Sequence, residues 1–115
     1  MTECCAKNGN IQHFQYKRHS GCKRYYGYFD LIERSDKFEI WSLGIDRRCR
    51  NKGNATRMLT EFLSQFMADK PLVLYVYKTN EIAIKLYEKV GFTIVGDCYF
   101  TNTAYTMQYT AERKQ

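Results

Sequence analysis

The spacing of apolar residues along the chain predicts two helices and six strands. Residues 54–67 and about 80–90 repeat apolar side chains at intervals of three and four, which is the spacing of an amphipathic helix. Pro71 and Gly91 follow these segments, and both residue types stop helices. Period-two or continuous apolar runs predict the strands at residues 11–16, 25–32, 38–45, 72–77, 93–100 and 105–109. The order β-β-β-α-β-α-β-β predicts a mixed α/β fold around one sheet.

A chain of 115 residues is of the size of one domain. We assign residues 11–110 to this domain and treat residues 1–10 and 111–115 as polar, flexible tails. Hydrophobic residues make up 44% and aromatic residues 16% of the chain, which excludes disorder for most of it. No apolar run approaches the roughly 20 residues of a transmembrane helix, and no apolar signal core is present at the N-terminus. We therefore expect a cytoplasmic protein without membrane contact.

The charge balance narrows the classes of partner, and the cysteines narrow the compartment and the kinds of site. Eighteen Lys and Arg against twelve Asp and Glu give a net charge of +6, which favours an anionic partner and disfavours a small polycation. The five cysteines are odd in number and form no CxxC pair, and only two histidines are present. These features argue against a disulfide framework and against a zinc site. They favour a reducing compartment and small buried thiols.

A basic loop leads from the third predicted strand into the first predicted helix. Residues 50–55 read RNKGNA. A strand–loop–helix junction exposes unpaired N–H groups and the positive end of the helix dipole, and both attract phosphate. Gly53 permits close backbone approach, and Arg50 and Lys52 add positive charge. The loop is neither a Walker motif nor GxGxxG. Taken alone, it is more often simply a solvated basic surface.

A second motif supports a function for that loop. The segment from Asn80 to Phe92 reads N-x-x-A-x-x-x-Y-x-x-x-G-F and contains LYEKVGF. With RNKGNA at this separation, residues 38–109 resemble the GNAT superfamily of acyl-CoA-dependent N-acetyltransferases, whose pyrophosphate pattern is Q/R-x-x-G-x-G/A. Asn54 stands where that family usually has an apolar residue, so looser helix packing is expected, and Ala55 is a permitted variant. The resemblance implies a GNAT-like fold with acetyl-CoA as co-substrate and no metal.

The resemblance also implies specific site residues. The main-chain N–H groups of six consecutive residues would hold the pyrophosphate of acetyl-CoA: Arg50, Asn51, Lys52, Gly53, Asn54 and Ala55. The main chain of Leu43, Gly44 and Ile45 would pair with the pantetheine arm like an added strand and would stabilise the oxyanion. Asn80 would hydrogen-bond the pantetheine. Tyr87 would lie beside the sulfur and protonate the leaving thiolate.

Glu39 is the candidate general base. A lysine amine has a pKa near 10.4 and must lose a proton before it attacks. The period of two in a strand predicts four side chains on one face: Glu39, Trp41, Leu43 and Ile45. Burial among apolar neighbours is expected to raise the pKa of Glu39. Its position eleven residues before Arg50 looks like that of the catalytic glutamate in the histone-acetyltransferase branch. The alternatives are a solvent-facing Glu39 at a sheet edge, an ordered water as base, Asp46 and Glu33.

The acceptor is predicted from a segment that is missing. The family usually places two helices between its first two strands, where they cover the acceptor site. Residues 17–24 are too few for two helices, so an open groove is expected, which suits a protein or peptide. We therefore predict acetyl transfer to a primary amine of a protein, by direct attack in a ternary complex. The alternatives are a small-molecule amine (a polyamine or drug) and a basic nucleic-acid- or CoA-binding module without catalysis.

Overall fold

The computed structural model describes residues 2–8, 10–17, 25–50 and 53–110, with the backbone alone for residues 2–8. Within these ranges, seven strands form one sheet in the order β1-β2-β3-β4-β5-β7-β6. The strands are β1 Thr2–Asn8, β2 Ile11–Lys17, β3 Tyr25–Glu33, β4 Phe38–Ile45, β5 Leu72–Tyr77, β6 Phe92–Cys98 and β7 Thr101–Tyr109. The helices are α1 Asn54–Gln65 and α2 Glu81–Val90, and one 3₁₀ turn spans Arg47–Cys49. Neighbouring strands are antiparallel except β4 and β5, which are parallel. The predicted mixed fold and its element order are confirmed, with one strand added in front.

The added strand corrects the prediction of a flexible tail over residues 1–10. β1 pairs antiparallel with β2, and Asn8 lies opposite Ile11. This register leaves two residues for the connection. The sequence Gly-Asn at positions 9 and 10 is a two-residue hairpin signal. Pairing of main-chain groups with β2 holds this polar segment in the sheet, since the ladder requires no apolar run. The predicted tail at residues 111–115 lies outside the described residues.

α1 packs as its apolar spacing predicts, whereas α2 contains no fully buried residue and its Ile82, expected on the buried face, is 82% exposed. α1 buries four side chains against one face of the sheet: Met58, Leu59, Phe62 and Leu63. It ends at Gln65 rather than at the predicted residue 67, because Phe66 is already extended (φ −76°, ψ 125°). Met67 is 90% exposed and belongs to the following loop. Both helices are far shorter than an apolar membrane span, and no helix in the described part of the chain is suited to cross a membrane.

β4 and β5 diverge after a short parallel ladder. Their paired residues run from Phe38 with Leu72 to Ile40 with Leu74. Beyond that point β4 carries a bulge: Tyr28 and Asp30, two residues apart on β3, lie opposite Gly44 and Trp41, three residues apart on β4. Ser42, inside the bulge, has a left-handed φ of 58°. A bulge bends its strand and increases the local twist. A wedge therefore opens between the two strands.

The bulge also changes which side chains share a face of β4. Leu43 and Ile45 pack against the helix-side core together with Phe38. Glu39 instead lies with Trp41, whose indole bonds to it. The prediction that Glu39, Trp41, Leu43 and Ile45 share one face is therefore wrong beyond residue 41. The physical reason is the extra residue, which reverses the alternation of side chains.

Candidate active site

The largest cavity near the wedge lies between the end of β4, the start of α1 and the side of α2. It has a volume of about 420 Å³ and we call it the helix-side cavity. It brings together nine of the predicted site residues: Leu43, Gly44, Ile45, Arg50, Gly53, Asn54, Ala55, Asn80 and Tyr87. Asn51 and Lys52 lie outside the described residues. Two motifs separated by a helix and a strand in the sequence therefore line one space.

The N-terminus of α1 presents unpaired donors to the helix-side cavity. Gly53 is the N-cap, with a left-handed φ of 77° and no side-chain cap bond. The first intrahelical bond runs from the Arg57 N–H to the Gly53 carbonyl at 3.0 Å. The preceding N–H groups of the first turn therefore have no partner within the helix. With the positive end of the helix dipole, they form a cradle for an anion.

The loop before α1 is held by side-chain bonds to main-chain carbonyls. Asn54 is 4% exposed, and its Nδ2 donates to the Cys49 carbonyl at 2.9 Å. This bond joins the two sides of the loop and gives the buried Asn54 amide a partner, while the expectation of looser helix packing stays a prediction. Arg50 Nε donates to the Ile45 carbonyl at 3.0 Å. The Arg50 side chain is thereby held at the cavity mouth, at the end of β4.

One edge of β4 is open along the helix-side cavity. The parallel ladder with β5 ends at Ile40, while β3 continues to pair with β4 as far as Ile45. Within the described residues, the stretch from Trp41 to Ile45 thus has a strand partner on one side only. An extended chain can add to such an edge through main-chain hydrogen bonds.

α2 contributes Asn80 and Tyr87 to the helix-side cavity. Asn80 caps the helix, and its Oδ1 accepts from the Ala83 N–H at 3.2 Å. The cap uses the Asn80 oxygen. Its Nδ2 group donates to none of the described residues. Tyr87 packs against the core near Phe92, and burial raises the pKa of its hydroxyl. The described residues offer that hydroxyl no hydrogen-bond partner, so it is a protonated donor that is free to bond a ligand.

Two further cavities share lining residues with the helix-side cavity or with each other. The wedge cavity, about 240 Å³, lies between β4 and β5 and shares Leu43 and Tyr87 with the helix-side cavity. The aromatic cavity, about 320 Å³, shares Trp41 and Tyr75 with the wedge cavity and is also lined by Phe100. A ligand in the helix-side cavity and another in the aromatic cavity would therefore meet at the wedge.

Glu39 lies behind the wedge rather than in it. The residue is 0% exposed and lines none of the three cavities. Tyr75 Oη donates to its Oε2 at 2.6 Å, and Trp41 Nε1 and Arg34 Nε donate to its Oε1 at 2.7 Å and 3.1 Å. Burial raises the pKa of this carboxyl, but the bonds from Tyr75, Trp41 and Arg34 together outweigh burial. The pKa therefore lies below its ordinary value, and the predicted upward shift is wrong.

The two other carboxylates considered as bases are engaged elsewhere. Asp46 caps the 3₁₀ turn, where its Oδ1 accepts from the Arg48 N–H at 2.9 Å. Glu33 is exposed, and its Oε2 accepts from Lys70 Nζ at 2.7 Å. Neither side chain lines the three cavities.

Sequence reasoning missed the role of Tyr75. It is the partner of Glu39, and burial, followed by its bond to Glu39, raises the pKa of its hydroxyl far above the usual range. In the run LVLYVY, Tyr75 stands between aliphatic residues. A buried tyrosine hydroxyl needs a polar partner, and this was the available signal. Ser42 carried no such signal, since its backbone conformation depends on pairing with β3.

The described residues contain no group of three His, Cys, Asp or Glu side chains that could hold a metal ion. A sequence model of the acetyltransferase (GNAT) family matches residues 11–92. This match spans most of the sheet, both helices and the cavity-lining motifs. The chain belongs to the acetyltransferase (GNAT) family.

Solved structures with the same fold include acetyltransferases from two bacteria. One is a GNAT-family protein from Bacteroides thetaiotaomicron, with a TM-score of 0.69 and 19% sequence identity. The alignment covers 91% of this chain and 64% of that one. A spermidine N-acetyltransferase from Vibrio cholerae, in complex with CoA and spermine, has a TM-score of 0.68 and 22% identity over 87% and 65% of the two chains. This chain thus spans about two thirds of their length. A search of curated protein sequences gives no match.

Proposed function

We propose that this chain transfers an acetyl group from acetyl-CoA to a primary amine by direct attack in a ternary complex. The observation that carries the proposal is the set of three cavities with shared lining residues. Acetyl-CoA would occupy the helix-side cavity, the acceptor would enter from the aromatic cavity, and the two would meet in the wedge beside Tyr87. Family membership supports the same reaction class.

The residues of the helix-side cavity fit acetyl-CoA. The unpaired N–H groups at the start of α1, with Arg50, match a pyrophosphate. The open edge from Trp41 to Ile45 matches the amides of a pantetheine arm, and the Asn80 Nδ2 donors add a further contact. When bound, acetyl-CoA supplies the acetyl group as a thioester. This arrangement would bring its sulfur end to Tyr87 and the wedge.

The chain's own residues would then serve the transfer as follows. Main-chain N–H groups near Leu43 and Ile45 would stabilise negative charge on the acetyl oxygen. The new bond joins the amine nitrogen to the acetyl carbon as the carbon–sulfur bond breaks. Tyr87, whose raised pKa keeps it protonated, would give its proton to the leaving sulfur.

The proton lost by the amine is better assigned to water than to Glu39. Three donors already occupy the Glu39 oxygens, and its pKa is lowered, which makes it a weaker base. We assign Glu39 a positioning role, because it holds the Trp41 and Tyr75 rings, which line both the wedge cavity and the aromatic cavity. The pH dependence of turnover distinguishes the two roles, as argued in the Discussion.

A small amine of the polyamine class is the first acceptor to test. The sequence predicts a protein acceptor, but the Vibrio cholerae proteins of the same fold are spermidine N-acetyltransferases, which favours the small-amine alternative. A protein amine remains the second candidate because the site lacks the usual cover. With β1 present, the first two strands are joined by residues 9–10 and the next two by residues 18–24, and neither connection has room for two helices.

Labelled acetyl-CoA tests the proposal directly. The protein would be incubated with spermidine, with a lysine-containing peptide and with a cell lysate, and the products identified by mass spectrometry. We expect labelled acetyl-amine, and loss of most of it in Tyr87→Phe. Binding of acetyl-CoA without transfer to any amine would instead support a binding module. A salt-dependent shift on DNA or RNA would support the nucleic-acid alternative.

A further inference from the structure

We propose that the aromatic cavity binds a protonated alkylammonium group of the acceptor, at a distance from the amine that reacts. This inference rests on the proposed function and specifies its acceptor as an amine with a second, cationic nitrogen. The subsite consists of four rings: Trp41, Tyr75, Tyr77 and Phe100.

We call these four rings the aromatic box: Trp41, Tyr75 and Phe100 contact one another, and Tyr77 lies beside them in the cavity lining. The Trp41 and Phe100 rings lie 5.8 Å apart and nearly parallel, at 21°. Tyr75 meets Phe100 edge-on, with 5.6 Å between centroids, and lies 5.3 Å from Trp41. Tyr77 and Phe100 are 65% and 55% exposed, so the box is accessible. The described residues that line it include no charged side chain. Because the three contacting rings leave no room between them, an ammonium ion in this cavity would lie against their outward faces.

Glu39 makes two of these rings better cation binders. The Trp41 N–H and the Tyr75 O–H both donate to its buried carboxylate, at 2.7 Å and 2.6 Å. Negative charge at the polar edge of an aromatic ring raises the electron density on its face. A cation is attracted to that face, and the attraction is stronger where water is excluded. The carboxylate thus acts on the cavity through the rings without reaching into it.

The cations nearest to Glu39 lie outside the box. Arg34 bonds Glu39 at 3.1 Å, and Lys37 Nζ lies 4.0 Å from its Oε2. Lys37 Nζ also rests 4.9 Å from the centroid of Tyr99, whose ring contacts Phe100. Tyr99, which contacts the box through Phe100, therefore already accepts one ammonium outside the box. The ring faces of the aromatic cavity offer a second place of the same kind.

The position of the box determines the type of acceptor. Because the wedge and aromatic cavities share Trp41 and Tyr75, a short carbon chain would join an amine in the wedge to an ammonium in the box. A diamine or polyamine has these two groups, whereas a simple monoamine has one. The net charge of +6 does not favour an acidic lining. Aromatic rings can bind such a cation without one.

The test uses a cation and its neutral isostere on the full chain. Trp41 is the single tryptophan, so intrinsic fluorescence reports on the box itself. We expect choline to change this fluorescence saturably at concentrations about 5- to 30-fold below those needed for its neutral isostere, 3,3-dimethyl-1-butanol. Phe100→Leu and Tyr77→Leu should remove most of this preference. Tyr25→Leu is the matched control, because Tyr25 lines none of the three cavities.

The outcomes separate this inference from the proposed function. Equal affinity for the cation and the alcohol, or a preference unchanged in both variants, would overturn the ammonium subsite. Cation binding with no acetyl transfer to any amine would support the subsite and overturn the proposed function. If transfer occurs, the ratio of KM for a monoamine to KM for a diamine should fall severalfold in Phe100→Leu with kcat little changed. An unchanged ratio would contradict the inference.

Discussion

Tyr75 and Glu39 are joined by a 2.6 Å hydrogen bond across the parallel strands β4 and β5, at the point where these strands diverge. The tyrosine hydroxyl donates and the buried carboxylate accepts. The bond holds the Tyr75 ring at the boundary between the wedge and aromatic cavities. A residue that the sequence predicts as a base is thereby engaged in maintaining the shape of the site.

Glu39→Gln distinguishes a base from a positioning residue. If Glu39 orients Trp41 and Tyr75, turnover should fall by a similar factor at every pH between 6 and 9.5, and acetyl-CoA affinity should hardly change. The Trp41 fluorescence should also change, since the indole loses a charged partner. The measurement is a pH–rate profile of both proteins with one amine. Recovery of Glu39→Gln toward wild-type rates at alkaline pH, where the amine deprotonates unaided, would restore Glu39 as the base.

The Glu39 carboxylate should stabilise the fold at neutral pH and lose that effect in acid. Its pKa is lowered in the folded state, so its contribution is present above the unfolded pKa and disappears as pH falls through the folded pKa. At pH 7, Glu39→Gln should cost about 1–3 kcal/mol of unfolding free energy. The difference from wild type should shrink below about pH 4. Urea unfolding at several pH values measures this, and a pH-independent difference would contradict it.

Glu33→Gln is the matched control for that experiment. Glu33 is an exposed carboxylate that pairs with Lys70 at 2.7 Å. Surface ion pairs contribute about 0–1 kcal/mol. Its loss should therefore change the unfolding free energy much less than the loss of Glu39.

Gly53→Val should weaken acetyl-CoA binding at least tenfold. Apart from its chain neighbours, no atom of the described residues lies within 4 Å of a Cβ added at Gly53, so these residues do not clash with it. The strain comes from its φ of 77°, which a β-branched residue disfavours. Relaxation would move the N–H groups that form the anion cradle. Gly53→Asn is the control, since asparagine tolerates this conformation. Calorimetric titration that shows equal affinity for Gly53→Val and wild type would exclude the cradle as the pyrophosphate site.

Asn54→Leu should lower both stability and acetyl-CoA affinity, although leucine is the kind of residue that the family usually has there. The change removes the bond from Asn54 Nδ2 to the Cys49 carbonyl, which has no other donor among the described residues. Such a loss costs about 1–3 kcal/mol. Thermal melts and acetyl-CoA titration measure the two effects. An unchanged affinity would mean that the bond does not shape the loop.

Tyr87→Phe should reduce turnover by about 10- to 1,000-fold while the melting temperature changes little. The ring and its packing near Phe92 remain, and only the hydroxyl is lost. Because burial raises the pKa of Tyr87, the wild-type acid should stay protonated through pH 9. An unimpaired Tyr87→Phe would remove this hydroxyl from the chemistry.

Local sequence determined most of the fold. Apolar spacing placed both helices and six of the strands, because burial of one helix face or of a strand leaves a period in the sequence. The loop at Gly53 and the cap at Asn80 were also predictable, since backbone conformation and capping depend on the residue and its immediate neighbours. The sequence did not predict β1, because its pairing with β2 relies on main-chain groups and requires no apolar run.

Tertiary structure decided the surroundings of Glu39. Alternation along β4 predicts its neighbours only while the strand is regular, and the bulge at Ser42 depends on the register with β3. The sequence showed a carboxylate in an apolar strand and hence burial, which raises a pKa. Three hydrogen bonds lower it, from Trp41 and Arg34, two and five residues away, and from Tyr75, 36 residues away. The Tyr75 bond lowers the pKa most, and it depends on the fold because only folding brings β5 beside β4.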